Sequence, residues 1–182
     1  MPVQNEHRQA TAESLTAGSR NEYLTFSLGD EDYGVDILRV REIRGWEAVT
    51  RIPNSPLYVK GVLNLRGTIV PVFDLRLRIG MPMRAYTKGT VVVVLRIVGS
   101  DNDRNIGIVV DDVSDVLSMD MAGIQRVPDF GSRLNTEFIF GMVSAGKKMI
   151  MILDVDRLAP DHGNGGSSSC VRPGRNVNEE IS

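Results

Sequence analysis

The chain repeats itself, and the repeat limits what it can fold into. Gly61-Val62-Leu63-Asn64-Leu65-Arg66-Gly67-Thr68-Ile69-Val70-Pro71-Val72-Phe73-Asp74 returns in degenerate form between Gly141-Met142-Val143 and Met149-Ile150-Met151-Ile152-Leu153-Asp154. In both copies glycine precedes aspartate by thirteen positions, and a polar or glycine turn divides two apolar runs. Leu77 follows the first aspartate by three residues and Leu158 the second by four. Gly34-Val35-Asp36 leads to Val40, Glu42 and Ile43, and Gly107-Ile108-Val109 leads to Val113, Asp115 and Val116 at the same offsets. One strand-rich unit has been used twice. Only the first copy carries an arginine, Arg66, at its hairpin tip, and function is expected where the copies differ.

The local pattern is that of strands. Leu24, Phe26 and Leu28 alternate with Thr25 and Ser27, the two-residue period of a half-buried strand. Gly29-Asp30-Glu31-Asp32 reads as a hairpin turn and Tyr33 to Asp36 as the return. Ile37 to Ile43 is ambiguous, since Ile37 and Val40 also fit one helical face. Pro53 and Pro56 mark a loop. Val59 to Leu65 and Thr68 to Phe73 make a hairpin around Arg66-Gly67, and Pro71, which has no N–H, places the second strand at an edge or a bulge. Thr90 to Val98 and Ile106 to Val110 are near-continuous β-branched runs, as in strands covered on both faces. Phe138 to Val143 and Lys148 to Leu153 form the last hairpin, and Asp154 to Leu158 suits a closing helical turn. Many short strands in two similar halves read as two small β-barrels. Residues 1 to 21 are polar and expected to be disordered; residues 161 to 182, with His-Gly-Asn-Gly-Gly-Ser-Ser-Ser near their start, read as a flexible tail.

Charge is unevenly distributed although the net value is −2. From Arg39 to Arg84 there are nine basic and three acidic residues; from Asp101 to Asp161 there are six basic and eleven acidic. One reading is an uneven solvated surface. The sharper reading is complementarity between assembling units. The single cysteine, Cys170, excludes an intrachain disulfide, the longest apolar runs have five residues, and the first twenty residues lack an apolar run. A soluble cytoplasmic protein with no direct membrane insertion is expected.

Catalytic chemistry finds few residues to use. His7 and His162 fall in the polar ends, which removes Ser/His and Cys/His catalysis and leaves no zinc set. Asp111-Asp112 are neighbours, which on a strand point to opposite faces, so turn or solvated acids are favoured over a carboxylate pair. No glycine-rich phosphate cradle is present. No enzyme, cofactor or metal is expected. A nucleic-acid-binding barrel is the competing reading, but Trp46, Tyr58 and Phe73 are scattered rather than interleaved with the cations.

These segments resemble the CheW family of chemotaxis coupling proteins over about residues 22 to 158. The densest match is Phe26 through Leu77, and Asn64-Leu65-Arg66-Gly67 is its most specific piece; Gly107 through Leu117 also fits. The resemblance implies two SH3-like five-stranded barrels around a shared core in residues 22–160, the first about 22–85 and the second about 86–160, with room for strands exchanged at the ends. It implies a non-enzymatic adaptor that joins the helical tips of transmembrane chemoreceptors to the regulatory domain of the histidine kinase CheA. Such adaptors sit in arrays at the inner membrane, in rings that can include further copies of the adaptor; the alternative is another protein-interaction or nucleic-acid module. Val40, Glu42, Gly61, Asn64 and Arg66 match the family's receptor-binding region, and Asp129-Phe130 matches the loop that meets the kinase. Each has a plainer reading: Val40 as core, Arg66 as an ion pair with Glu42 or a solvated turn, Gly61 as a backbone requirement, Phe130 folded back on its barrel.

Overall fold

A computed structural model describes residues 20–99, 102–127 and 136–160. It is mainly β, with ten strands: β1 (Arg20–Leu28), β2 (Glu31–Asp36), β3 (Val40–Gly45), β4 (Val59–Leu65), β5 (Thr68–Asp74), β6 (Val91–Ile97), β7 (Arg104–Val110), β8 (Asp112–Asp120), β9 (Ile139–Ala145) and β10 (Lys148–Leu153). Two four-residue helices, α1 (Leu75–Arg78) and α2 (Val155–Leu158), follow β5 and β10. The aspartate that closes each repeat begins its helix: the Asp74 carboxylate accepts from Leu77 N and that of Asp154 from Asp156 N.

The strands form two five-stranded sheets, β8-β1-β2-β10-β9 and β3-β6-β7-β5-β4. The division expected near residue 85/86 separates the two repeats, and the barrels are completed by an exchange of strands, for which that expectation left room. Each repeat is five consecutive strands, β1–β5 and β6–β10, but each barrel takes two strands from one repeat and three from the other. We call the first sheet barrel A and the second barrel B. The exchange is mutual and in register: Ile152 pairs with Gly34 in barrel A, and Val72 pairs with Gly107 in barrel B, both across parallel strands. One β-bulge recurs as well, at the Val40–Glu42 step of β3 and the Val113–Val116 step of β8. Single bridges, Thr50 with Val62 and Gln125 with Met142, join the segments after β3 and β8 to the edge strands β4 and β9 and so draw each sheet toward closure.

Alternation assigns the side chains to three cores. Leu24, Phe26 and Leu28 of barrel A meet Val93, Leu95, Ile106 and Ile108 of barrel B in the shared core. Val92, Val94, Val70, Val72, Leu63 and Val109 fill barrel B. Tyr23, Met119, Val143, Ile150 and Ile152 fill barrel A. The Val91–Leu95 run is thus covered on both faces, as its composition requires. Phe26 is fully buried between the barrels, where truncation to alanine costs about 3–5 kcal/mol.

Three other expectations are refined. β1 begins at Arg20, so residues 20 and 21 belong to the fold. Ile37–Arg39 is a single 3₁₀ turn, capped by Asp36, before β3. Pro71 is not on an edge, because β5 lies between β7 and β4; of the two places expected for it, it lies by the bulge, one pair before the Val59–Gly61 step of β4. The pair Leu65–Thr68 closes a two-residue hairpin, and every second pair after it exchanges hydrogen bonds. Pro71, opposite Val62, falls on an intervening pair with its nitrogen turned from β4, and pairing with β7 starts only at Val72. The ring therefore costs no ladder bond.

Candidate interaction site

The strand exchange sharpens the charge division. Barrel A (20–36, 112–127, 136–160) has five basic and eleven acidic residues, and barrel B (37–99, 102–110) has twelve basic and four acidic. Counting along the sequence blurred this, because acidic β1 and β2 precede the basic stretch yet join the acidic strands. The five residues matched to receptor binding all lie on basic barrel B. Gly61, Asn64 and Arg66 sit on β4 and its hairpin, while Val40 and Glu42 flank the bulge of β3, at the other end of the sheet order.

The hairpin tip is built to present Arg66. Both tip residues have positive φ, Arg66 at 50° and Gly67 at 90°, as the tight mirror-image turn of a hairpin requires. The Asn64 side-chain carbonyl accepts from Gly67 N at 2.8 Å and fixes the turn, which gives Asn64 a local task. An arginine in left-handed backbone is uncommon and costs free energy. The side chain is exposed and makes no ion pair among the described residues, so the alternative of a pair with Glu42 is not what the structure contains. Val40 is half-buried against the shared core.

Gly61 is a closure point. Its φ is +147°, and a Cβ there would overlap the Thr50 carbonyl. Beside it opens a groove of about 620 Å³ lined by Trp46, Val49, Ile52, Leu57, Met83 and Tyr86 among others. Its floor is polar and closed: the Tyr86 hydroxyl donates to buried Asp74 at 2.7 Å, and Lys60 Nζ lies 3.8 Å from the same carboxylate. Burial, reinforced by that hydrogen bond, pushes the Tyr86 phenol's pKa up and keeps it a donor. The Trp46 and Tyr86 rings are 4.4 Å apart, which pins the 79–90 connection over the groove. Neither Tyr86 nor this groove was visible in the repeat pattern, since the other copy has no counterpart to Tyr86.

Barrel A has the matching groove, about 290 Å³, lined by Arg126, Val127, Thr136, Ile139, Phe140, Asp154 and Arg157. Its residues flank both ends of 128–135. Asp129 and Phe130, expected at the kinase contact, lie outside the described residues, as do His7, His162 and Cys170.

Two ion pairs clasp the barrels together with opposite sense. After β5, buried Arg76 donates from Nε to Asp111 Oδ1 at 2.9 Å and from a second nitrogen to Oδ2, while Gly29 N donates to Oδ2 at 2.8 Å. The Arg76 hydrogen bonds, against the effect of burial and with help from Gly29 N, hold the Asp111 carboxyl below the usual aspartate range. After β10 the charges are inverted. Asp156 takes both nitrogens of Arg39, at 2.8 and 3.1 Å, and Val98 N donates to it at 3.1 Å. Asp111 is thus a structural acid. Between the clasps, the Arg78 guanidinium lies 4.8 Å from the ring centroid of Tyr58 and 4.7 Å from that of Phe138, which occupy equivalent places in the two repeats. With Tyr58 and Trp46 so engaged, barrel B offers no row of free aromatics on which bases could stack.

Among the described residues no helix is long and apolar enough to cross a membrane, and no cluster of metal-ligating side chains occurs. Among the described residues, the arrangement holds surfaces in place. Comparison with known proteins agrees. The CheW-like domain model matches residues 22–162. The chemotaxis protein CheW of Klebsiella aerogenes is 47% identical over 137 residues, 75% of this chain and 80% of that protein. That of Rhizobium meliloti is 38% identical over 149 residues, 82% and 93% of the two chains. The crystal structure of the scaffolding protein TtCheW from Thermoanaerobacter tengcongensis superposes with a TM-score of 0.71 at 29% identity, covering 90% of this chain and 97% of that one. This chain therefore belongs to the CheW-like family, and it is a chemotaxis adaptor of the scaffolding kind rather than an enzyme.

Proposed function

We propose that the chain couples the helical tips of chemoreceptors to the histidine kinase CheA within arrays at the inner membrane, with basic barrel B taking the receptor and acidic barrel A the kinase. The observation that carries the receptor side is Arg66: an unpaired guanidinium held on strained backbone at the hairpin tip, where the other repeat has Gly146. A planar fork there can donate to carboxylates or helix-end carbonyls of a partner. Glu42 and Val40, at the bulge of β3, would give barrel B a second contact apart from the tip, and Gly61 with Asn64 fixes the backbone of the Arg66 hairpin. The kinase side rests on Asp129-Phe130, between residues that line the barrel A groove. An exposed phenylalanine in that loop would supply the apolar anchor such contacts use. Opposite charge on the two barrels favours a contact in which different faces meet and close into rings, with kinase or with further copies of this chain.

Co-sedimentation with receptor-containing membranes and kinase tests the assignment. Arg66→Ala is expected to lose receptor while keeping kinase, and Phe130→Ser to do the reverse. Recovery of both variants with both partners at the level of the unaltered chain would remove these residues from the interfaces.

A further inference from the structure

The barrel B groove is more apolar at its rim than a finished surface needs to be. Leu57 is 87% exposed, Met83 69% and Ile52 42%, around a floor already closed by Asp74, Tyr86 and Lys60. Arg51 lines the same groove, is exposed, and makes no ion pair among the described residues. The occupant should therefore offer two or three apolar side chains and a carboxylate.

The chain itself contains such a segment, outside both the described residues and the 22–162 family match. Val177-Asn178-Glu179-Glu180-Ile181 sets two apolar residues four positions apart in the sequence, with two carboxylates between them. Arg172 and Arg175 precede it and would be repelled by Arg51, which confines the docking unit to the residues after them. The segment also starts from the right place. Arg78 Nε donates to the Leu158 carbonyl at 3.3 Å, and Arg78 follows Leu77, which lines the groove. Sixteen residues separate Pro160 from Val177, seventeen steps along the backbone, a reach of up to roughly 55 Å when extended.

We propose that Val177–Ile181 of the same chain docks in the barrel B groove, with Val177 and Ile181 against Leu57 and Met83 and a glutamate carboxylate from between them facing Arg51. Tethering gives the segment an effective concentration in the millimolar range, so a weak site suffices. The docked segment covers the surface beside Gly61 and competes with any partner that uses it. The inference needs only the groove and the segment; it stands or falls apart from the receptor and kinase assignments.

The sequence has one tryptophan, Trp46, in the groove, and one cysteine, Cys170, ahead of the segment. Energy transfer from Trp46 to an acceptor coupled at Cys170, measured on the full chain, reads docking directly. Transfer should be high at low salt, and should fall at least about twofold in Glu179→Lys/Glu180→Lys and about equally in Leu57→Asp, since either change leaves the segment held by its tether alone. Circular dichroism of each variant should match the unaltered chain. Transfer that none of these changes moves would overturn the proposal. Transfer that rises with protein concentration would overturn it too, by showing that a second copy supplies the segment.

Discussion

Barrels A and B share a register, a bulge, a closing bridge and a helix-capping aspartate, so the places where they differ were not set by the fold. At the hairpin tips, barrel A has Gly146-Lys147, with positive φ at the glycine alone, whereas barrel B has Arg66-Gly67 with positive φ at both. The turn of barrel A is one that sequence satisfies cheaply; that of barrel B keeps an arginine at a cost. The floor carboxylates differ likewise. Asp154 is partly exposed and paired with Arg157, while Asp74 is buried beneath Tyr86 and Lys60. Duplication supplied two equal frames, and the left-handed arginine and the buried carboxylate belong to one of them only.

The largest expected difference between the barrels is at their closure points. Gly61→Ala forces a Cβ into the Thr50 carbonyl at unfavourable φ, and should cost about 4 kcal/mol in urea unfolding. Gly141→Ala meets Ile124 Cγ2 and a backbone oxygen 2.8 Å away without that backbone strain, and should cost about 2 kcal/mol. Equal losses would mean that the barrels are closed equally tightly.

The clasps come next. Arg76→Ala leaves the partly buried Asp111 carboxylate with only Gly29 N and the more distant Arg84, 3.7 Å away, and should cost about 2 kcal/mol, whereas Arg39→Ala opens a more exposed pair and should cost below about 1 kcal/mol. The Arg76 clasp also has a pH dependence. Because the folded-state pKa of Asp111 lies below its unfolded value, its contribution is present above the unfolded pKa and is lost as pH falls through the folded one. The acid limb of stability, below about pH 4, should therefore be flatter in Asp111→Asn than in the unaltered chain. Identical acid limbs would remove this contribution.

Smaller effects follow at the tip and the surface. Arg66→Gly should stabilise the protein by about 0.5 kcal/mol through relief of the left-handed backbone while reducing recovery with receptors, a combination that a merely structural arginine would not give. Smallest is the salt effect: kinase association should weaken modestly between low and moderate ionic strength if barrel charge steers it, and stay constant if it does not.

The strands, their hairpins and the closing helical turns were legible because apolar alternation and turn chemistry act locally. Barrel membership was not. Alternation in β2 or β5 states which face is buried, and says nothing of whether the parallel neighbour comes from the same repeat or the other. Pro71 left edge and bulge undecided for a related reason: the missing donor matters only on the side where a neighbour waits for it. Of the site, Arg66 and Gly61 stood out because the repeat supplied its own comparison. Asp111 looked like a solvated acid because its partner, Arg76, is 35 residues away and buried in a helix turn. Tyr86, in a connection without periodicity, left no signal beyond its own aromatic ring.

Arg78 has the place in the first repeat that Leu158 has in the second, and it donates to the Leu158 carbonyl while lying between Tyr58 and Phe138. Two equivalent rings thus share one guanidinium, supplied by the first repeat alone, and the twofold relation between the repeats fails at this contact. A lattice assembled from such units has a direction built into every tile, and each neighbour can tell left from right.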